Sequence, residues 1–277
     1  MKNTTIFCAL VLITALAGCS ADKKPRDSDL AAVKAYAQAE VTIERLRKRK
    51  EPNWDAIAEQ YEITAATVKK IDAKSGTLYD RRIREALKSC AAGESVKVNQ
   101  QTLAKGLQHV TVLAITAGLD AMAKVDMAGR KAAAERVAEY FEGIRPTFVR
   151  RDQDFFPQTK TLEKAADEAL ERLEKADSAA LLTARRQLED ILARTYALCV
   201  LYEVAQIEEL RVSDLAECDV KRAEAVIFYR IIQHRIKKRS ARADEAISNM
   251  LKSGYDVMDS KSLEANLQTG LAGIALR

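Results

Sequence analysis

Carboxylate and histidine side chains recur at helical spacing in the second half of the chain. Glu203 falls inside an apolar run whose hydrophobic residues follow i, i+3 and i+4 steps. In the next predicted helix, Glu224 and His234 belong to a stripe with alternating steps of four and three residues, which predicts that both face the core. A carboxylate removed from water must be ion-paired, protonated or bound to a metal.

These residue types suggest a transition-metal site. Carboxylate and imidazole groups on facing helices bind such metals in other bundles. The candidate ligands are Glu203, Glu224 and His234, together with His109 from the first half. The alternative is that an arginine pairs with the buried carboxylates. Three arginines are near enough in sequence to do so: Arg194, Arg222 and Arg235.

A second candidate site would take a hard cation. Glu59 and Glu62 lie one helical turn apart, so their carboxylates can reach one ion. Glu62 also borders an apolar stripe.

The sequence shows no catalytic motif. The chain has two histidines and no Gly-x-Ser-x-Gly, phosphate-loop or His-Glu-x-x-His motif. We therefore predict that the protein is not an enzyme. The sequence assigns no cofactor with certainty, and the candidate is iron or another transition metal.

The elements that must position these residues are helices. Glycine and proline number only 10 and 4, and no strand-like alternation stands out, so we predict an all-α multi-helix bundle over residues 30–277. The predicted helices are Leu30–Lys50, Trp54–Ala73, Thr77–Ala92, Ser95–Met127, Arg130–Ile144, Thr161–Ala176, Ala179–Leu210, Asp214–Lys252 and Leu263–Leu276.

The segment Pro146–Lys160 is predicted to be a long connection laid over the bundle, because it contains two of the four prolines. It separates two halves that resemble each other at a spacing of about 85 residues. The pattern is typical of either a duplicated helical-hairpin unit, about 53–128 and 135–212, followed by C-terminal helices, or a chance match between leucine-rich helices.

The N-terminal residues predict export of the chain to the cell envelope. Lys2 precedes an apolar run over residues 6–17 that is shorter than the roughly 20 residues of a membrane span. Residues 1–18 are therefore predicted to be an export signal, and residues 19–29 a polar tether. The net charge of +5 is spread along the chain and gives no case for nucleic-acid binding.

The sequence Leu16-Ala17-Gly18-Cys19 resembles the lipobox of bacterial lipoproteins. The resemblance implies cleavage before Cys19, acylation of that residue with palmitate-type chains, and anchoring in a membrane. Ser20 resembles the sorting residue of lipoproteins sent to the outer membrane, where the protein would face the periplasm. After acylation three cysteines remain, so at most one disulfide can form among Cys90, Cys199 and Cys218.

A second resemblance covers residues 50–125. Trp54-x-x-Ile57-x-x-x-Tyr61, Gly76-x-x-Tyr79 and Lys105-Gly106-Leu107-Gln108 are similar to helical iron-assimilation proteins secreted by algae and their bacterial relatives. This implies extracytoplasmic iron binding or delivery to a transporter, but assigns no ligand, and the second half has no matching tryptophan. The alternative function is a non-catalytic envelope scaffold that binds a protein through a helical groove or the Pro146–Lys160 segment.

Overall fold

The prediction of an all-α fold is confirmed. The computed structural model describes residues 25–277 apart from residue 178, and every regular element in that part of the chain is helical. The helices are α1 (Pro25–Arg47), α2 (Trp54–Ser75), α3 (Tyr79–Ala91), α4 (Val96–Met122), α5 (Met127–Phe155), α6 (Thr161–Lys175), α7 (Leu181–Leu210), α8 (Leu215–Arg239), α9 (Ala241–Lys252) and α10 (Ser260–Gly270), with a 3-10 turn at Tyr255–Val257.

Consecutive helices run antiparallel. In the α7–α8 pair, for example, Lys221 lies beside Glu203 and Arg235 beside Asp190. Helices α1 and α5 are parallel, since Lys34 lies 3.5 Å from Glu139 and Glu44, farther along α1, lies 3.5 Å from Arg150, farther along α5. The bundle therefore has a basal end, where α1, α5 and α7 begin, and an apical end, where those three helices finish.

Two apolar cores hold the helices together, and α4 contributes to both. One core joins α1, α2, α3 and α4, and Tyr36 and Tyr61 are fully buried in it. The larger core joins α4 to α10, with Phe141 and Phe148 in edge-to-face contact at its centre. A helix buried by both cores has almost no solvent-exposed face, which explains why every residue from 103 to 112 in α4 is buried.

The two predicted repeat units share a pattern of long, short and long helices, namely α2–α4 and α5–α7. In both, an aspartate of the first long helix caps the short one. Asp72 accepts hydrogen bonds from the backbone N–H groups of residues 79 and 80, and Asp152 accepts them from residues 162 and 163. These caps satisfy otherwise unpaired helix-end donors. Descent from a duplication stays a prediction.

The prediction of a long connection over Pro146–Lys160 is wrong. Helix α5 continues through Pro146 to Phe155, and only residues 156–160 connect it to α6. Proline removes one helical hydrogen bond. Phe148 and Arg151, which follow Pro146 in α5, are buried, and their packing stabilises the helix after the proline. The predicted helix Asp214–Lys252 is in turn two helices, because extended Ser240 ends α8 and its side chain caps α9.

The N-terminal predictions lie outside the described residues. These are the export signal at 1–18, the acylation of Cys19 and most of the tether; α1 already begins at Pro25, before the predicted start at Leu30. Over the described residues no helix combines the length and apolar character needed to cross a bilayer. Cys90, Cys199 and Cys218 are all buried and free.

Candidate functional site

Five charged side chains meet in the interior where α4, α5, α7 and α8 pack together. We name them the Lys105 cluster, and its members are Lys105, Arg151, Glu203, Lys221 and Glu224. The structure thus brings the predicted residues Glu203 and Glu224 to one place, but surrounds them with cations.

Glu203 is buried between two cations. One carboxylate oxygen lies 4.0 Å from the Arg151 guanidinium, and the other lies 3.4 Å from the Lys221 ammonium, without the alignment of a hydrogen bond. Burial and the neighbouring Glu224 raise the pKa of Glu203, and the cations partly oppose that increase. An arginine does lie beside Glu203, but it comes from α5 rather than from the three positions close in sequence, and the Lys221 ammonium is nearer.

Glu224 pairs with a lysine that sequence reasoning did not select. The Lys105 ammonium lies 3.5 Å from the Glu224 carboxylate and 5.1 Å from the centre of the Phe228 ring. Burial lowers the pKa of Lys105, and Glu224 partly restores it. A signal existed in the sequence, because Lys105 is the one lysine or arginine among residues 103–115.

His234 is exposed, so the prediction that it faces the core is wrong. Steps of four and three residues repeat every 3.5 residues on average, whereas an α-helix repeats every 3.6. Over the fourteen residues from Val220 to His234 the stripe therefore turns away from the core by about 40°. The buried face of α8 instead continues through Phe228, Ile232 and Ile236.

His109 is buried as predicted, but its partner is a tyrosine. Its Nδ1 is hydrogen-bonded to the Tyr79 hydroxyl, and the two rings make an edge-to-face contact with centroids 5.1 Å apart. Burial, with a smaller contribution from Arg230, lowers the pKa of His109 to about 4. A neutral imidazole of this kind completes the core between α3 and α4.

Glu59 and Glu62 do not form a cation site in this structure. Both are exposed, and the two carboxylate oxygens of Glu62 accept hydrogen bonds of 2.5 and 3.0 Å from the Arg84 guanidinium. Those bonds lower the pKa of Glu62. Across the described residues, no group of three or more His, Cys, Asp or Glu side chains is arranged to hold a metal ion.

Another buried carboxyl group outside the cluster is Glu40 of α1. One oxygen accepts a 2.7 Å hydrogen bond from the Thr111 hydroxyl, and the other has no partner. Burial raises the pKa of Glu40 to about 8. With Gln108, whose amide oxygen also has no partner, it lines a cavity of about 40 Å³, enough for a few water molecules. Tyr36, Glu40 and Ile43 follow i, i+4, i+7 spacing, and this pattern in the sequence could have identified Glu40 as a core residue.

The apical end displays apolar side chains. We name Val212, Leu215 and Val257 the apical patch; they are 94%, 59% and 53% exposed. The neighbouring Arg211 fixes this region, because its guanidinium donates hydrogen bonds to the carbonyls of residues 255, 256 and 258. A groove of about 460 Å³ lies between Val212, Leu215 and Tyr255. The patch is therefore held by the fold rather than lying on a loose loop.

Comparison with known proteins adds no relative. No family model, no curated protein and no solved structure matches the chain. The function must therefore be argued from the geometry, which gives two contrasting features: a buried cluster of paired charges and an exposed apolar patch.

Proposed function

We propose that this protein is a lipid-anchored, non-catalytic envelope protein that binds another envelope protein through the apical patch. The observation that carries the proposal is the exposure of three apolar side chains on a rigid corner. Contiguous exposed apolar groups are typical of protein-binding surfaces. A groove lined by Leu215 and Tyr255 beside them offers a place for an inserted side chain.

The surroundings of the patch suggest the chemistry of the partner. Residues 208–219 contain five carboxylates and one guanidinium, that of Arg211, which donates to backbone carbonyls. Lys97 and Arg222 pair with two of these carboxylates, Glu217 and Asp219, and the other three have no cation partner among the described residues. Complementary charge guides protein association and selects among partners. We therefore expect a partner that combines apolar side chains with lysine or arginine.

The proposed anchor would orient the apical patch relative to the membrane. The lipobox-like residues 16–19 would place acyl chains six residues before Pro25, where α1 begins at the basal end. Helix α8 separates the two ends by about 36 Å at 1.5 Å per residue. A chain anchored at its basal end would hold the apical patch away from its own membrane, where another envelope protein or a transporter can reach it.

Iron binding stays a prediction, but the described residues provide no ligand set for it. The carboxylates of Glu203 and Glu224 have ammonium or guanidinium partners, and His109 is bonded to Tyr79. Cations already occupying the site oppose the binding of a further cation. Metal content of the protein purified from iron-replete cells measures this directly, and stoichiometric iron would favour the metal hypothesis over ours.

Site-specific photo-crosslinking tests the proposed patch. A photoreactive amino acid is placed at Val212 in the full chain and expressed in its bacterial host. The matched control is Leu182, which is 69% exposed and lies at the start of α7, about 40 Å from the end of that helix, which Val212 follows. We expect one envelope protein to be crosslinked at Val212 and not at Leu182. The same products from both positions, or none, would contradict the proposal.

The anchor is tested separately. Mass spectrometry of the N-terminal peptide should show an acylated Cys19, and Cys19→Ala should release the protein from the membrane fraction. An unmodified Cys19 would remove the anchor from the proposal and leave the crosslinking result interpretable.

A further inference from the structure

The basal end carries its own exposed apolar side chains. Met127 at the start of α5 and Leu182 at the start of α7 are 57% and 69% exposed, and Val125 lies two residues before Met127. An ion pair of 2.7 Å between Asp120 and Arg185 joins the end of α4 to the start of α7. Val125 and Leu182 each lie about one helical turn beyond that pair, so they occupy the same end of the bundle.

Exposed cations are numerous at this end of the bundle, where the exposed carboxylates include Asp126, Glu174 and Asp177. Residues 235–242, at the corner between α8 and α9, contain five lysines and arginines and no acid. Arg235 pairs with Asp190 of α7, and the antiparallel packing places the following Lys238 and Arg239 near residue 186, about one helical turn from Leu182. Further exposed cations at this end are Lys124, Lys131 and Arg186. Among the described residues, none of those three and none of 237–239 lies within 4.0 Å of a carboxylate.

Helix-end electrostatics explains only part of this charge. Cations in the last turn of α8 are favourable beside the helix C-terminus. Arg242, however, lies in the first turn of α9, where a positive charge opposes the helix dipole. Asp244 in the same turn offsets that effect, so the dipoles favour the cations at the end of α8 and leave Arg242 without a helix-stabilising role.

We propose that the basal end rests on the surface of an anionic phospholipid bilayer. Apolar side chains that enter the interface and cations that contact lipid phosphates are the combination by which proteins bind such surfaces. A membrane is favoured over a protein partner because α1 begins at this end, so the proposed N-terminal anchor would hold this end close to the bilayer. The inference rests in that one respect on the proposed anchor at Cys19: the six-residue linker reaches about 20 Å when extended.

The apical end supplies a matched comparison. It also contains a basic run, Arg45 to Lys50, but that run lies at the end of α1 farthest from its start at Pro25. Charge alone would let either run bind anionic lipid. The anchor and the apolar side chains favour the basal corner, so the proposal predicts that the two basic runs behave differently.

The test uses the full chain reconstituted through its N-terminus into nanodiscs of phosphatidylcholine, with or without phosphatidylglycerol. A fluorescent amino acid replaces Leu182 or Val212, and spin-labelled lipid quenches a probe that lies near the bilayer. We expect quenching at Leu182 to be several-fold stronger than at Val212, and to be strongest with phosphatidylglycerol at low salt, because salt screens lipid charge.

Charge reversal then separates the two ends. Lys238→Glu/Arg239→Glu should reduce quenching at Leu182 at least threefold, whereas the control Arg49→Glu/Lys50→Glu should leave it unchanged. Equal quenching at Leu182 and Val212, or quenching at Leu182 that ignores both lipid charge and Lys238→Glu/Arg239→Glu, would overturn the inference. Because the proposed function is read from crosslinks at Val212, either claim can fail without the other.

Discussion

The Lys105 cluster and the apical patch both depart from the usual distribution of residues, but in opposite ways. The cluster places charges inside the protein and gives each of its carboxylates a cation within 4.0 Å. The patch places Val212, Leu215 and Val257 in water and covers none of them. The cluster has thus paired its charges within the fold, whereas the apical patch has no apolar partner there.

This contrast separates structural residues from recognition residues. Removing one member of a buried ion pair leaves the other charge uncompensated, which destabilises the fold. Removing an exposed apolar side chain costs the free protein little. We therefore expect substitutions in the interior to change the free energy of unfolding, and substitutions at the apical patch to change binding.

The largest effect is expected from Lys105→Met, which leaves Glu224 buried without its cation. The free energy of unfolding should fall by about 3–5 kcal/mol, as measured by urea denaturation. The double variant Lys105→Met/Glu224→Met should recover much of that loss, because both charges are gone. Lys97→Met is the control; its pair with Glu217 is exposed, so its loss should stay under about 1 kcal/mol. Equal losses in the two single variants would show that the buried pair has no special role.

Glu40 should make the protein less stable as the pH rises. Its pKa is about 8 in the folded chain and 4.5 as the ordinary value, so the unfolded chain loses the proton first. Stability from this group is complete below about pH 4.5 and is lost as the pH rises to about 8. Glu40→Gln should therefore be more stable than the original chain at pH 8 by roughly 2–4 kcal/mol.

Denaturation curves across this pH range check the Glu40 prediction, with Glu59→Gln as an exposed control that should follow the original chain. If Glu40→Gln and the original chain show the same pH dependence between 4.5 and 8, the carboxyl is not held away from water as the structure places it.

His109 should act in the opposite direction and at lower pH. Its pKa is lowered from 6.5 to about 4, so the unfolded chain takes up the proton first as the pH falls. Stability from the neutral imidazole is present above about pH 6.5 and is lost towards pH 4, by roughly 2–3 kcal/mol. His109→Gln should flatten this acid slope, and His234→Gln, which changes the exposed histidine, should not. A slope that follows His234 instead would contradict the assignment.

The smallest effect on stability is expected at the apical patch. Val212→Asp/Leu215→Asp should change the free energy of unfolding by under about 0.5 kcal/mol per site, since neither side chain is buried. The same variant should lose the partner. A clear drop in melting temperature would indicate that these residues stabilise the fold, and would weaken the distinction between the two regions.

Much of this architecture could be predicted from periodicity, and the failures have physical reasons. The positions of Glu203 and Glu224 in the core followed from helical spacing, and nine helical segments were expected where the described residues form ten helices. Pro146 was misread because local propensity ends a helix there, whereas the burial of Phe148 carries α5 through. His234 was misplaced because a 3.5-residue pattern drifts on a straight helix.

The partners of the buried groups could not be predicted in the same way. Arg151 and Glu203 are 52 positions apart in the sequence and meet only through the packing of α5 against α7. The apical patch likewise joins the α7–α8 corner to the turn at 255–257 through Arg211. Such contacts depend on the order in which helices pack, which spacing along a single helix does not contain.

The central claim is that recognition occurs at the apical patch while the buried charges serve the fold. The most direct test is calorimetric titration of the partner captured at Val212 onto three full-length proteins: the original chain, Val212→Asp/Leu215→Asp, and Lys105→Met/Glu224→Met. We predict at least a tenfold loss of affinity for the patch variant and unchanged affinity for the interior variant. Unchanged binding by the patch variant, with loss by the interior variant, would contradict the account.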